Sequence, residues 1–269
     1  MRRAAGSRPD EQIIGANIDT VFIVVSLNED WNLRRIERYL IAVQDGGARP
    51  VLLLTKADLC EEPERYVREA RAIAPELPVF PISALQDLGR DALAPFLVPG
   101  ATVGATGSSG VGKSTLLNWL AGESRQAVQG IREDDARGRH TTTHRELFVL
   151  PSGAVWLDTP GMRELQLWES EDGWQATFSD IEALAASCRF RDCRHEAEQG
   201  CAVREALSGG ELDPARYANY RKTERELARL AQKERRAGKR VAKEAAARGG
   251  KPAAGGMKQK SMRVHEVED

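Results

Sequence analysis

Gly107, Ser108, Ser109, Gly110, Val111, Gly112, Lys113, Ser114 and Thr115 have the clearest chemical purpose in the chain. They fit G-x-x-x-x-G-K-[ST], a loop whose glycines let successive backbone N–H groups turn inward onto phosphate oxygens. Lys113 is placed to reach β- and γ-phosphates and the Ser114 hydroxyl to hold Mg²⁺, while the start of the following helix adds its positive dipole end. The expected chemistry is a nucleoside triphosphate site. A glycine- and serine-rich surface loop is the alternative, and it would not need the apolar run before the loop or the helix-like run after it.

A second set of residues selects the base. Thr55, Lys56, Ala57 and Asp58 follow a buried-type apolar run and match [NT]-K-x-D, which in guanine-nucleotide-binding proteins reads guanine. An Asp58 carboxylate would accept from the ring N–H and the exocyclic amine of guanine. Adenine, an acceptor at the ring position, would leave an oxygen unpaired at about 1–3 kcal/mol. The Lys56 stem would lie along the base plane. Ser83 and Ala84 begin a turn of the kind that supports guanine through backbone N–H groups, the alternative being a helix N-cap by Ser83.

Asp158 and Gly161 bound a D-x-x-G segment, with Asp158 as a Walker-B-type aspartate and Gly161 facing the γ-phosphate. Thr142 is the choice for a switch threonine on Mg²⁺ and the γ-phosphate, and its neighbours Thr141 and Thr143 leave the register open. Met162 follows Gly161 where a water-positioning glutamine would stand, so intrinsic hydrolysis is expected to be slow. His140 or His144 is a candidate to supply the missing polar group. Cys188, Cys193, His195 and Cys201 offer three thiolates and an imidazole within one short segment, a set suited to tetrahedral structural zinc with no open position.

These groups need a scaffold, and the chain reads as one. Near-continuous apolar runs at 20–27, 50–54, 77–82 and 101–106 are expected of parallel strands buried on both faces. Helices are expected from Leu33 to a stop at Gly46 and Gly47, over 63–74, over 87–96 and after the phosphate loop. A hairpin should join 145–150 to 154–157 across Pro151, Ser152 and Gly153. The segment 122–139 has little periodicity and is expected to be mobile.

The chain has 269 residues and four cysteines, and no apolar run approaches a membrane span, so a cytoplasmic protein is expected. Its net charge of −1 conceals a basic stretch over 221–251, with twelve Lys or Arg against four Asp or Glu. A basic tail on an acidic body suits an anionic partner. Tyr217, Tyr220, Leu227 and Leu230 share one helix face, while Arg221, Lys222, Arg225, Arg229, Lys233, Arg235 and Arg236 could meet RNA phosphates.

The guanine motifs precede the phosphate loop, the reverse of Ras-like order, and so resemble a circularly permuted GTPase. With the cysteine cluster downstream, the chain from about Glu11 to Arg221 resembles the RsgA (YjeQ) family, bacterial small-ribosomal-subunit-dependent permuted GTPases. The resemblance implies an α/β fold: a circularly permuted P-loop GTPase domain, mainly parallel sheet flanked by helices, followed by a small helical zinc-binding domain. The divisions expected are a lead-in over 1–12, the GTPase domain over 13–170, the zinc-binding region with its basic helix over 171–236 and a low-complexity, disordered tail over 237–269. It also implies GTP hydrolysis during late maturation of the small (30S) subunit, binding to 16S rRNA, GTP/GDP with Mg²⁺ and one Zn²⁺, and a monomer without membrane or DNA partners. The OB-fold domain that usually begins this family is not expected here, which marks the chain as a fragment, a mis-started sequence or a form without that module. Three other readings stand beside this one: a permuted GTPase serving another structured RNA, a GTP-binding zinc-stabilised RNA scaffold with little hydrolysis, and an ATP-using P-loop kinase, against which Asp58 and the motif order argue.

Overall fold

The structure, a computed structural model, describes residues 2–4, 11–13, 15–27, 31–122, 146–158 and 171–247. In the stretch expected to be a lead-in, Arg2–Ala4 (β1) and Glu11–Ile13 (β2) pair antiparallel into a separate two-stranded sheet. The main sheet begins at Thr20–Ser26 (β3), whose residues are all buried. Helix Leu33–Asp45 (α1) follows, opened by Asn32, whose side chain accepts from the Arg35 backbone N–H at 3.0 Å, and closed at Gly46. Then come strand Arg49–Thr55 (β4), helix Pro63–Ile73 (α2) with proline in its first turn, and strand Val79–Pro81 (β5).

The helix expected over 87–96 is instead a short 3₁₀ run, Asp91–Phe96. Asp87 at φ 53° and Gly89 at φ 82° hold the chain in a turn, and Pro95 removes a donor that an α-helix would need. Strand Thr102–Thr106 (β6) leads through the phosphate loop into helix Lys113–Ala121 (α3). Glu146–Val149 (β7) and Val155–Asp158 (β8) form the expected hairpin.

The six strands run in the order β5-β4-β3-β6-β8-β7, and every pairing except β7–β8 is parallel. From β3 the chain moves outward through β4 to β5, then returns to place β6 on the other side of β3. That reversal is a topological switch point, where an open parallel sheet leaves a crevice at the carboxyl ends of its strands.

Alternation explains the continuous apolar runs. Val21, Ile23, Val25, Leu52 and Leu54 face α1 and α2, whereas Phe22, Val24, Val51 and Leu53 face α3 and the 3₁₀ run. The first of these cores does not stop at α1. It continues through Trp174 of helix Glu171–Thr177 (α4), Phe178, Ile181 of helix Ser179–Ala186 (α5), Val203 of helix Ala202–Gly209 (α6) and Tyr220 of helix Pro214–Ala247 (α7). A Cβ on Gly173 would collide with the carbonyl oxygen of Ile41, so α4 crosses α1 at a distance only glycine permits.

Polar groups complete the contact. Glu37 of α1, fully buried, accepts from Arg216 at 2.7 Å, Asn219 at 2.5 Å and Arg34 at 2.5 Å. Arg216 also forks onto Asp180 at 2.9 and 2.7 Å and donates to the Thr177 carbonyl at 2.9 Å. Arg38 makes a two-armed pair with Glu226 at 2.8 and 2.9 Å. The helix α7 itself runs to Ala247, well into the segment expected to be a disordered tail. Its last two turns are rich in Ala, Lys, Arg and Glu, strong helix formers that carry the helix past the single Gly238.

Candidate nucleotide and metal sites

The phosphate loop sits at the switch point between β3 and β6. Gly107 has φ 146°, and a Cβ there would meet the carbonyl oxygen of Val24 on β3, so the loop is pressed against the neighbouring strand. Lys113 Nζ donates to the carbonyls of Gly107 at 2.7 Å and Ser108 at 2.5 Å, folding its chain back over the loop. Ser114 and Thr115 occupy the first turn of α3, Val111 is buried beneath the loop, and Ser109 and Gly110 are exposed at its tip.

The base motif is tied to this loop. Thr55, the last residue of β4, donates its hydroxyl to the Val111 carbonyl at 2.7 Å. Lys56 takes a left-handed conformation, φ 57°, turning the chain sharply so that Ala57 and Asp58 lie in a 3₁₀ turn above the sheet edge. The Ala57 N–H donates to the Ile82 carbonyl at 3.1 Å, which joins this motif to the Ser83–Ala84 turn. Ser83 begins no helix: its Oγ accepts from the Gln86 N–H at 3.2 Å and its backbone bridges to Leu88. Thr55 to Asp58, Ser83 with Ala84 and the phosphate loop therefore share one edge of the sheet. Asp158 ends β8, half-buried, on the other side of β6. Thr141, Thr142, Thr143, His140, His144 and Gly161 lie outside the described residues.

Sequence reasoning passed over a support of this edge. Trp119 of α3 donates its indole N–H to Asp87 at 2.6 Å, and Arg90 pairs with the same carboxylate at 2.7 Å while stacking on the Trp119 ring at 4.8 Å. The arginine, then the indole, hold the Asp87 carboxyl below its ordinary range. The loop carrying Ser83 and Ala84 is thereby anchored to the helix that follows the phosphate loop. The aspartate three residues before an arginine was visible in sequence; its partner on α3 was not.

The four metal candidates converge. Ligand atoms of Cys188, Cys193, His195 and Cys201 all lie within 4.8 Å of one another. His195 Nδ1 is 3.6 Å from Cys188 Sγ and 3.4 Å from Cys201 Sγ, and the two sulfurs are 3.9 Å apart. Tetrahedral bonds of about 2.3 Å to sulfur give ligand–ligand edges of about 3.8 Å, so the donor set and its spacing fit Zn²⁺. Burial opposes ionisation of Cys188, but the backbone N–H groups of Val203 and Ala202 at the start of α6 and the Cys201 thiol outweigh it and favour the thiolate. Glu198 shapes the connecting loop. It accepts from the backbone N–H groups of Arg194 at 2.9 Å, Glu196 at 2.9 Å and Ala197 at 3.0 Å, which pulls its carboxyl down to about 2.

The chain was also compared with known proteins. A family model described as RsgA GTPase matches residues 1–168. A second, described as ABC transporter, matches residues 95–262; it takes in the phosphate loop, a feature of many nucleotide-binding families, and leaves out Thr55 to Asp58. The chain is 49% identical over 243 residues, 90% of its length, to a small ribosomal subunit biogenesis GTPase RsgA of Methanosarcina acetivorans. It spans 63–66% of the length of the first curated relatives it matches. Among solved structures it is similar to YjeQ from Thermotoga maritima, at 30% identity and TM-score 0.59 over 79% of this chain and 72% of that one. It is also similar to YloQ, described as a circularly permuted GTPase, at 27% identity and TM-score 0.55 over 81% of this chain and 69% of that one. Among the described residues no helix is long and apolar enough to cross a membrane.

Proposed function

Because the chain belongs to the RsgA GTPase family, we propose that it binds GTP at the switch point and hydrolyses it to GDP and phosphate in support of small-ribosomal-subunit maturation. The observation that carries this reading is the convergence of Thr55, Lys56 and Asp58, Ser83 and Ala84, and the Gly107–Thr115 loop on one sheet edge, in permuted chain order. Asp58 selects guanine. The loop amides and Lys113, released from the Gly107 and Ser108 carbonyls, take the phosphate charge, and Ser114 with Thr142 would hold Mg²⁺. Mg²⁺, when bound, neutralises charge developing on the β- and γ-phosphate oxygens. Asp158 and Gly161 complete the phosphate side, and His140 is the candidate to orient water when the small subunit is bound.

We take Glu171 as the start of the zinc-bearing region. Cys188, Cys193, His195 and Cys201 would hold a structural Zn²⁺, fixing the loop from which α6 departs. The basic face of α7 suits 16S rRNA phosphates, with the protein working as a cytoplasmic monomer. The test is GTP turnover with and without purified small subunits, with ATP and Asp58→Asn as controls. Stimulation by the subunits confined to GTP supports the reading. Equal turnover of ATP, or turnover that Asp58→Asn does not change, refutes the guanine assignment.

A further inference from the structure

Four residues near the start of α1, Arg34, Arg35, Glu37 and Arg38, make polar contacts with other parts of the chain, and these do not all point the same way. Arg34 reaches Asp213 at 2.7 Å, Glu37 holds Arg216 and Asn219, and Arg38 pairs with Glu226, so three of these residues face α7 or the turn before it. Arg35 departs from this pattern. Its guanidinium donates to Ser108 Oγ at 2.5 Å, inside the phosphate loop and 73 residues away in sequence.

Ser108 is therefore approached by two cations. Its carbonyl accepts from Lys113 Nζ, and its hydroxyl accepts from Arg35. The lysine of such a loop serves the β- and γ-phosphates, so a second cation on the same residue stands at the phosphate end of the site. The Asn32 cap fixes the turn of α1 that carries Arg35, and α1 follows β3, the strand against which Gly107 is pressed. We propose that Arg35 is a phosphate-sensing residue supplied in cis: its guanidinium binds the terminal phosphate of GTP and makes no equivalent contact with GDP. This rests on the nucleotide reading above. The contact needs no new chemistry, since an anionic phosphate oxygen offers the guanidinium a charge-assisted bond stronger than the one it makes to the Ser108 hydroxyl. Because Arg34, Glu37 and Arg38 grip the helical region, the same helix turn links the terminal phosphate to α7.

The experiment is titration of the full chain with fluorescent GDP and with a fluorescent non-hydrolysable GTP analogue, for the unsubstituted protein, Arg35→Ala and Arg35→Lys. Arg35→Ala should weaken the GTP analogue about tenfold or more, the scale of one lost charge-assisted hydrogen bond, and leave GDP within about twofold. Arg35→Lys should recover part of the difference, because the charge is kept and the fork is lost. Equal weakening of both nucleotides would make Arg35 a loop support only and overturn the proposal, as would no weakening of either. Circular dichroism and zinc content, unchanged in the variants, separate these results from misfolding. An unsubstituted chain that binds neither nucleotide would refute the nucleotide reading along with this one.

Discussion

Replacing Glu37 with alanine tests the join between the sheet and the helical region. The carboxylate is fully buried and accepts from Arg216, Asn219 and Arg34, and Arg216 itself keeps only 5% of its side chain exposed. Removing one member of a buried ion pair strands the other and costs about 3–5 kcal/mol. Arg216 retains the half-exposed Asp180 and the Thr177 carbonyl, so the lower end, about 3 kcal/mol, is expected here. For a domain of this size that corresponds to a fall in Tm of about 6–12 °C. Urea denaturation of the zinc-loaded chain gives the free energy, and scanning calorimetry gives the shift. The double variant Glu37→Leu with Arg216→Met removes both charges and leaves apolar atoms in their place, so it should lose less than the single variant. The reasoning fails if Glu37→Ala costs under about 1 kcal/mol, or if the double variant loses the sum of the two singles.

Gly107→Ala places a methyl against the Val24 carbonyl at a φ that alanine avoids, and it should abolish measurable GTP binding while calorimetry still shows a folded transition. Trp119→Phe keeps a ring under Arg90 but removes the donor to Asp87; with that anchor of the Ser83–Ala84 loop lost, KM for GTP should rise several-fold with kcat unchanged. Chelation of the metal should lower the Tm and the hydrogen-exchange protection of 188–212, with the sheet protected as before. Hydrogen bonding from Arg38 holds the Glu226 carboxyl below its ordinary range despite partial burial. A depressed folded pKa gives stability that is present above the unfolded carboxylate range and lost as pH falls through the folded value. Glu226→Gln should therefore be less stable at pH 7 by up to about 1 kcal/mol, and its Tm should converge on that of the unsubstituted chain as the pH falls below the ordinary carboxylate range.

The sheet and the phosphate loop were legible because strands buried on both faces leave uninterrupted apolar runs, and because few sequences other than a phosphate cradle need Gly107, Gly112 and Lys113 at that spacing. Cys188, Cys193, His195 and Cys201 were legible for a similar reason: metal ligands close in space were also close in sequence. What escaped was polar and distant. Glu37 sits among Ile36, Leu40 and Ile41 on α1 and reads as solvated, since nothing local reveals a partner 179 residues away. Arg35 and Trp119 escaped the same way, each meeting a residue on another element. The segment 87–96 reads as one short helix, because composition does not report the positive φ at Asp87 that leaves only the 3₁₀ run Asp91–Phe96. Composition likewise does not report that α7 continues to Ala247, since the alanines and charged residues after Gly238 suit a solvated helix as well as a low-complexity tail.

Chain order makes α1 the element that all other parts must find. In this permuted arrangement β3 and α1 open the main sheet, the phosphate loop follows a long excursion through β4 and β5, and the helices that cover α1 come last. Every contact of α1 with Ser108, Asp213, Arg216, Asn219 and Glu226 closes a long loop, and loop closure has to precede the reward of the contact. Without α7 and the helices before it, the apolar face that α1 turns to Trp174, Phe178 and Tyr220 would stand in water. Folding of the helical region is thus stabilised through α1, and an event at the phosphate loop that shifts the first turn of α1 acts on the same packing. A helix with one face in the nucleotide domain's core and the other under the zinc-bearing region is where the two functions proposed for this chain, GTP hydrolysis and RNA contact, have to be reconciled.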